Sequence, residues 1–192
     1  MNDVDALQRI QYPDLQSYEV NPFFFPEPLA PLVAARRHRM KIPLKDVIEK
    51  ISTIANRCEL LLIEGAGGLL VPLGEGYTTL DLIRQLRCEV IVVAANRLGT
   101  INHTLLTARA LTGNPRVQSL GTSGLESARM KIVLMDCARP DLSARSNFQI
   151  LGELLAPIAV FRIPFLGQEP LKNGRFQQNL KKIKKTLARI LV

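Results

Sequence analysis

Residues 60–73 read Leu60-Leu61-Leu62-Ile63-Glu64-Gly65-Ala66-Gly67-Gly68-Leu69-Leu70-Val71-Pro72-Leu73. The apolar run at 60–63 has the length of a strand and ends at a carboxylate, and glycines follow at once. Unbroken apolar runs are typical of strands buried on both faces of a parallel sheet. Ligands bind beyond the carboxyl ends of such strands, and glycines let them approach the backbone. We therefore expect Glu64 to lie where a metal-bound phosphate binds; an exposed Glu in a glycine-rich turn is the alternative.

Outward from this stretch, helix and strand patterns alternate, which predicts parallel βα units in a single α/β domain over residues 1–192. Further strands are predicted at 89–95, 131–136 and 160–164. Helices are predicted at 3–10, 29–39, 43–57, 80–86, 101–111, 147–155 and 176–191. Residues 13–31 are rich in Pro and Phe, so we expect an irregular segment whose phenylalanines are buried against the sheet or against a second subunit. Residues 113–129 show no clear period.

The composition indicates an aliphatic core and a basic surface. Hydrophobic residues make up 47% of the chain, Trp is absent, and the formal net charge is +8. Such a charge suits nucleic acid, an anionic membrane or an anionic substrate. The basic clusters at 36–39 and 181–185 are interpreted as solvated helix faces. Because no aromatic stacking platform accompanies them, we expect no nucleic-acid partner.

Cysteine usage and hydropathy indicate the compartment. Cys58, Cys88 and Cys137 are odd in number and far apart, so we expect free thiols in a reducing cytoplasm. The first residues are polar, which predicts no signal peptide. No apolar run approaches the roughly 20 residues that cross a bilayer, so neither a membrane partner nor a location outside the cytoplasm is expected.

The predicted strand at 89–95 is followed by a loop and a helix start at residues 96–104. The loop Asn96-Arg97-Leu98-Gly99-Thr100 precedes a helix that opens at Ile101 and Asn102. A helix N-terminus presents free N–H groups that suit an anion, and Arg97 adds a cation. His103 is interpreted as a hydrogen-bonding residue of the helix start rather than a catalytic base, because the sequence pairs it with no carboxylate or nucleophile.

Taken together, five blocks of the sequence resemble the dethiobiotin synthetase family, a branch of the P-loop superfamily. The blocks are Asp3 with residues 5–8, residues 20–23 with 25–28, residues 62–68 with 71–73, residues 92–93 with 98–107, and residues 162–166. They lie in the family's order along essentially the whole chain. The resemblance implies a three-layer α/β fold with a mostly parallel sheet and helices on both faces.

The resemblance also implies an ATP-dependent ligase of biotin synthesis. In that family, one amine of 7,8-diaminopelargonic acid takes up CO₂ as a carbamate, ATP phosphorylates the carbamate, and the other amine closes the cyclic urea. The family enzymes are Mg²⁺-dependent homodimers. ATP and Mg²⁺ are therefore the implied cofactors, and the diamine and CO₂ the implied substrates.

The family's site residues carry over onto matching positions. Asp3 and Glu64 match the metal-binding carboxylates, and Glu64 is the implied catalytic residue. The implied substrate-binding residues at the phosphates and the diamine are Gly65, Gly67 and Gly68. The helix start that receives the substrate carboxylate, in the family from the neighbouring subunit, is matched by Leu98, Gly99, Thr100, Ile101 and Asn102. The implied nucleotide-binding residues are Met135, Asp136, Pro164 and Leu166.

The sequence departs from the family at the phosphate loop. The family begins with a strand and a G-x-x-x-x-G-K-[ST] loop, followed by a strand with a substrate-contacting lysine, and the 192 residues contain neither. Met135 replaces the family's base-reading Asn. A missed upstream start, a decayed gene and a second chain that supplies the strand all remain open. We expect little ATP turnover by this chain alone; the alternative function is a non-catalytic relative or fragment that keeps the substrate loop and dimer surface.

Overall fold

The computed structural model describes residues 3–10, 15–113, 129–171 and 174–191, without the side chains of residues 3, 5, 9 and 10. Two compact units, Met1–Arg87 and Cys88–Val192, each have their own packing. The single domain expected from the sequence stays a prediction. No helix in the described part of the chain combines the length and apolar character that crossing a membrane requires.

The first unit contains short helices and one hairpin. Its helices are Asp3–Ile10 (α1), Ser17–Val20 (α2), Pro31–Arg37 (α3), Leu44–Ala55 (α4) and Thr79–Leu86 (α5), and its strands are Pro72–Gly74 (β1) and Tyr77–Thr78 (β2). Proline opens α3, where its missing N–H costs no helical hydrogen bond. A capping box between Thr78 and Asp81 opens α5, with the Thr78 N–H donating to the carboxylate at 2.8 Å.

The hairpin packs tightly against the segment between α3 and α4. The buried Tyr77 hydroxyl donates a 3.0 Å hydrogen bond to the carbonyl of Ile42. Burial, followed by the charge of Asp46, raises the pKa of Tyr77. A Cβ on Gly74 would lie 2.2 Å from the same carbonyl oxygen, so only glycine fits there. The sequence patterns did not predict this hairpin.

The predicted strand at 60–63 is wrong, because these residues have no regular secondary structure. Leu60, Leu62 and Ile63 are 60%, 68% and 46% exposed. A strand needs a neighbouring backbone to complete its hydrogen bonds. Among the described residues, no strand pairs with this segment.

The second unit contains a parallel sheet and confirms the predicted α/β class. Its strands are Val90–Asn96 (β3), Met130–Asp136 (β4) and Ala159–Ile163 (β5), and its helices are Thr100–Thr112 (α6), Asn147–Leu155 (α7) and Arg175–Leu191 (α8). The strand order is β3-β4-β5, with both pairs parallel. Helix α6 packs against β3, α7 packs against β5, and the two helices contact each other, so both lie on one face of the sheet.

Helix α8 covers the opposite face. A buried cluster joins two residues of α8 to three on β4 and β5: Val133, Phe161, Ile163, Ile183 and Ile190. The other face contributes Ile132 and Leu134, which are fully buried, and α7 contributes Leu151. The predicted arrangement of a parallel sheet with helices on both faces is confirmed in this unit.

The surface expectations have mixed outcomes. All three cysteines are free thiols, each half-buried. Phe24 is 66% exposed in the single chain, so the sheet does not bury it, and its burial against a second subunit stays a prediction. Phe25 instead packs against the ring of His38. Residues 114–128, most of the stretch without a period, lie outside the described residues.

The two basic clusters are exposed as interpreted. Arg36 donates two hydrogen bonds to Glu75 at 2.7 and 2.8 Å, and both Arg37 and His38 lie near the carboxylate of Glu27. The four lysines between residues 181 and 185 all lie on the solvent side of α8. Much of the positive charge at 36–39 is therefore engaged by carboxylates within the first unit.

Candidate functional site

The turn between β3 and α6 presents backbone donors at a helix start. Gly99 immediately precedes α6 with a φ of +91°, a left-handed conformation that favours glycine. The N–H of Thr100 donates back to the Arg97 carbonyl at 3.2 Å. Within the described chain, the N–H groups of Gly99, Ile101 and Asn102 have no acceptor. These three donors, with the positive end of the helix dipole, can receive an anion.

The N–H of Leu98 is already occupied. It donates a 2.7 Å hydrogen bond to Oδ2 of Asp141. Hydrogen bonds from the Ser143 hydroxyl and then from this N–H hold the pKa of Asp141 below its ordinary value. Of the five backbone positions expected to bind a carboxylate, Leu98 and Thr100 are thus engaged within the chain.

A pair of buried asparagines lies next to this turn. Asn96 ends β3 and is 0% exposed, and Asn147 begins α7 and is also buried. The Asn147 amide nitrogen donates to Oδ1 of Asn96 at 3.0 Å and lies 3.2 Å from the Arg97 carbonyl. The Asn96 amide nitrogen donates to Oδ1 of Asp136 at 2.8 Å and lies 3.1 Å from the Ala144 carbonyl. Every polar atom of the Asn96 side chain therefore has a partner.

Asp136 connects this pair to β5. Arg162 Nε lies 2.9 Å from Oδ1 and 3.0 Å from Oδ2 of the carboxylate. Burial acts to raise the pKa of Asp136, but the hydrogen bonds from Arg162 and Asn96 and the charge of Arg162 outweigh it, so the pKa lies below its usual range. The expected nucleotide-binding Asp136 thus has two partners in the carboxyl-end network.

An open cavity of about 470 Å³ lies along β3 and the start of α6. Arg97, His103 and Asp141 supply polar groups to its lining. Thr104 also lines it, and among the described residues its buried hydroxyl has no hydrogen-bond partner. Asp141 also lines a second cavity of about 530 Å³, together with Arg145 and Arg162. The carboxylate of Asp141 is therefore shared by two polar cavities.

Glu64 and the glycines that follow it lie in the first unit. Glu64, Gly65, Gly67 and Gly68 are all exposed in a loop without regular structure. No described residue forms a hydrogen bond or ion pair with the Glu64 carboxylate. The side chain of Asp3 lies outside the described residues. In the described ranges, no three His, Cys, Asp or Glu side chains are grouped closely enough to hold a metal ion.

The remaining expected nucleotide-binding residues lie at and beyond the ends of β4 and β5. Met135 and Leu166 pack against the apolar cluster between the sheet and α8. Pro164 directly follows β5 and is exposed. Asn179 of α8 holds the Leu166 carbonyl with a 3.0 Å hydrogen bond. The structure brings Met135 and Leu166 to one cluster in the second unit.

Four residues of this network were not among the predicted site residues: Asn96, Asp141, Asn147 and Arg162. The sequence did carry one signal, because Asn96 and Asp136 each stand at the end of an apolar run. In the structure they are opposed in the parallel register of β3 and β4. Polar groups at the carboxyl ends of neighbouring parallel strands meet at one edge of a sheet. The contribution of Asn147 depends on how α7 returns to the sheet, which no local pattern contains.

Comparison with known proteins agrees with this fold. A family model described as an AAA domain matches residues 2–154 of the chain. An ATP-dependent dethiobiotin synthetase of Bacillus licheniformis is 35% identical over 170 residues, which make up 88% of this chain and 65% of that protein. One of Rhodococcus jostii is 52% identical over 153 residues, or 79% of this chain and 59% of that protein.

A third relative extends the comparison. The ATP-dependent dethiobiotin synthetase of Bacillus velezensis is 33% identical over 181 residues, or 93% of this chain and 70% of that protein. The chain spans less than two thirds of the Bacillus licheniformis and Rhodococcus jostii relatives, at 65% and 59% of their lengths. The extent of the family-model match and the identity shared with these relatives show that the chain belongs to the dethiobiotin synthetase family.

Proposed function

We propose that this chain serves dethiobiotin synthesis, the ATP- and Mg²⁺-dependent carboxylation and ring closure of 7,8-diaminopelargonic acid. The observation that best supports this proposal is the start of α6, where the N–H groups of Gly99, Ile101 and Asn102 lack acceptors in the described chain. The diamine has a carboxylate at the end of its aliphatic chain, and a helix N-terminus suits that group. The relatives named ATP-dependent dethiobiotin synthetase support the same assignment.

The carboxylate-binding step uses backbone donors of the second unit. Gly99, Ile101 and Asn102 would each donate an N–H, and the exposed Arg97 would add positive charge. Hydrogen bonds to a charged group contribute about 1.5–3 kcal/mol each, so several such donors make a strong carboxylate site. Binding at this end would position the amines at the opposite end of the substrate for reaction.

Glu64 is suited to a metal role by its environment. Its carboxylate is exposed and has no partner among the described residues, so its oxygens are free to bind a cation. Mg²⁺ is often held by one or two carboxylates plus phosphates and water, so Glu64 and Asp3 would form a sufficient protein set. When bound, the ion neutralises charge on the phosphate oxygens during phosphoryl transfer.

The ring-closing chemistry follows from the two amines. One amine attacks CO₂ and forms a carbamate, whose oxygen takes the γ-phosphoryl group of ATP and releases ADP. The second amine then attacks the carbamate carbon, and inorganic phosphate leaves as the cyclic urea closes. Gly65, Gly67 and Gly68 would allow the phosphates and the diamine to approach the backbone, and residues 135–136, Pro164 and Leu166 would lie beside the base.

The carboxylate site is tested by calorimetric titration of the 192-residue chain with 7,8-diaminopelargonic acid. Ile101→Pro removes one donor at a first-turn position where proline is tolerated, and the matched Ile101→Ala keeps the donor. We expect Ile101→Pro to weaken binding about tenfold or more and Ile101→Ala to weaken it less than threefold. Tight binding of the diamine methyl ester to the unmodified chain would contradict the proposal, because the ester has no carboxylate.

The nucleotide part needs a second titration with Mg-ATP. The sequence contains no G-x-x-x-x-G-K-[ST] loop, so we expect weak binding and little dethiobiotin formation by this chain alone. Glu64→Gln should reduce any Mg²⁺-dependent binding, whereas Glu59→Gln, at another exposed glutamate, should not. Micromolar Mg-ATP binding with turnover would contradict the expected inactivity, and diamine binding without ATP binding would favour the non-catalytic alternative. We also propose that the chain forms a homodimer, as the resemblance implies, and sedimentation velocity measures its oligomeric state.

A further inference from the structure

The 97–99 turn receives little support from apolar packing. Leu98 at its centre is 81% exposed. Within the turn, Arg97 N–H donates to the Ala95 carbonyl at 3.0 Å, and Thr100 N–H donates to the Arg97 carbonyl at 3.2 Å. Neither bond involves the peptide N–H of Leu98 or Gly99. The geometry of the donors that follow must therefore depend on other contacts.

Asn147 contacts the turn through its side-chain amide. Its amide nitrogen is within 3.2 Å of three acceptors, namely Asn96 Oδ1, the Arg97 carbonyl and the Ser143 hydroxyl. The side chain is buried, so water does not compete freely for these bonds. The Arg97 carbonyl is the same oxygen that receives the N–H of Thr100, the first residue of α6. Asn147 thus donates to the same carbonyl oxygen that accepts the N–H of the first residue of α6.

Asn96 determines which way the Asn147 amide faces. Its own nitrogen is used by Asp136 and Ala144, so its oxygen is the atom left to accept from Asn147. An Asn147 amide turned by 180° would place oxygen against oxygen at this contact. The bonds from Arg162 to Asp136 extend the same chain of contacts to β5. The orientation of Asn147 is therefore fixed by the strand ends rather than by solvent.

Asp141 holds the turn from the other side. Its Oδ2 accepts from Leu98 N–H at 2.7 Å, and its Oδ1 accepts from the Ser143 hydroxyl at 2.6 Å. It also caps the short helical turn Leu142–Arg145, with Ala144 N–H at 3.3 Å. Asp141 and Asn147 both lie in the segment after β4, so one segment holds the C=O and the N–H of the single peptide group that joins Arg97 to Leu98.

We propose that Asn147 and Asp141 are positioning residues that fix the 97–99 turn, and with it the backbone donors at the start of α6 that would receive a carboxylate ligand. Asn147 acts on the Arg97 carbonyl and Asp141 on the Leu98 N–H. In this proposal both residues act through the turn and not through a bond to the ligand. The identity of the ligand rests on the proposed function, whereas the control of the turn does not.

The test is residue-specific amide hydrogen exchange, measured by NMR on the full chain. We expect Asn147→Ala to accelerate exchange about tenfold or more at Leu98 and Thr100, the two amides among residues 98–102 that have acceptors in the described chain. Asn179→Ala is the matched control, because Asn179 is also a buried amide of the second unit that bonds two carbonyls, those of Leu166 and Pro170. The control should leave exchange at Leu98 and Thr100 within twofold of the unmodified chain.

Asp141 provides a test that does not disturb a buried site. Asp141→Ala removes the acceptor of the Leu98 N–H, and we expect exchange at Leu98 to rise about tenfold. Asp141→Asn keeps an oxygen at that position and should restore protection to within threefold. If Asn147→Ala does not fold, the two Asp141 variants still decide the matter. Unchanged exchange at Leu98 and Thr100 in folded Asn147→Ala, or at Leu98 in Asp141→Ala, would overturn the proposal.

A ligand measurement separates this proposal from the proposed function. If the chain binds 7,8-diaminopelargonic acid, Asn147→Ala should weaken that binding at least fivefold while Asn179→Ala changes it less than twofold. Equal affinities of the chain and Asn147→Ala would overturn the positioning role. Absence of diamine binding by the unmodified chain would count against the proposed function, and the exchange data would still decide whether these residues fix the turn.

Discussion

The amide nitrogen of Asn96 lies 2.8 Å from Oδ1 of Asp136, the residue opposite it in the parallel register of β3 and β4. The same carboxylate accepts from Arg162, and the same asparagine accepts from Asn147. Four side chains therefore join the carboxyl ends of three neighbouring strands to the first turn of α7. Because Asn96 is completely buried, the bonds that Asn96 forms lie where an unpaired polar atom is costly.

Replacing Asn96 should destabilise the second unit. Asn96→Ala leaves Asp136 without one donor and Asn147 without one acceptor, and leaving buried polar groups unpaired costs about 1–3 kcal/mol. We expect a fall of this size in the free energy of unfolding measured with urea. Asn102→Ala, at an exposed asparagine on α6, should change it by less than about 0.5 kcal/mol. Equal stabilities of the two variants would contradict the importance of the buried network.

The network should also make stability depend on acidic pH. The pKa of the Asp136 carboxyl is lowered in the folded chain, while an unfolded aspartate titrates near pH 3.9. Its contribution to stability is therefore present above about pH 4 and is lost as the pH falls through the lower folded pKa. Arg162→Gln should reduce stability at neutral pH, and the difference from the parent chain should shrink in acid.

The control for this pH dependence is Arg145→Gln. Arg145 is exposed in the same region, and no ion pair is found for it among the described residues. We expect the unfolding free energy of this variant to parallel that of the parent chain between pH 7 and pH 3. A difference between Arg162→Gln and the parent that stayed constant over this range would exclude the charge of Asp136 as its cause.

Two glycines in different environments should respond oppositely to alanine. In Gly74→Ala, the new methyl group would lie 2.2 Å from the Ile42 carbonyl and 2.4 Å from the Tyr77 ring, so the hairpin must shift. In Gly152→Ala, the methyl group on α7 meets open space, and alanine favours a helix by roughly 0.5–1 kcal/mol. Thermal unfolding should show a lower midpoint for Gly74→Ala and a slightly higher one for Gly152→Ala. A stabilising Gly74→Ala would contradict the close packing of the hairpin.

Helix α8 should be attached to the sheet by its apolar face. Ile183 is buried in the cluster with Val133 and Phe161, and Ile183→Ala should cost about 2–5 kcal/mol through lost packing and a cavity. Lys184→Ala, at the next residue on the exposed face, should change the unfolding free energy by less than about 0.5 kcal/mol. Urea denaturation measures both. A small effect at Ile183 would indicate that α8 contributes little to the core.

The sequence predicted the second unit well because its elements are local and strongly patterned. The apolar, β-branched run at 89–95 is the strand Val90–Asn96, and the periodic segment 176–191 is the helix Arg175–Leu191. Both patterns are completed within the described part of the chain, by β4 and by the cluster under α8. Pattern and packing therefore agree there.

The strand predicted at 60–63 fails for the opposite reason. Its residues are as apolar as those of β3, but a strand also needs a backbone beside it, and sequence composition cannot reveal whether one is present. The hairpin at residues 72–78 was missed because its strands are only three and two residues long. The Asn147 contact could not be predicted either, because Asn96 and Asn147 are 51 residues apart and meet only through the crossover.

The outer side of β3 has a consequence for the protein in concentrated solution. Among the described strands, only β4 pairs with β3, and Val93 is 63% exposed. The segment Val90–Ala95 is uncharged and free of proline and glycine, which is the composition that forms stacked intermolecular sheets. This edge offers a template to which the same segment of another molecule can add. Storage and crystallisation trials should therefore start from dilute, freshly filtered samples, with turbidity monitored as the concentration rises.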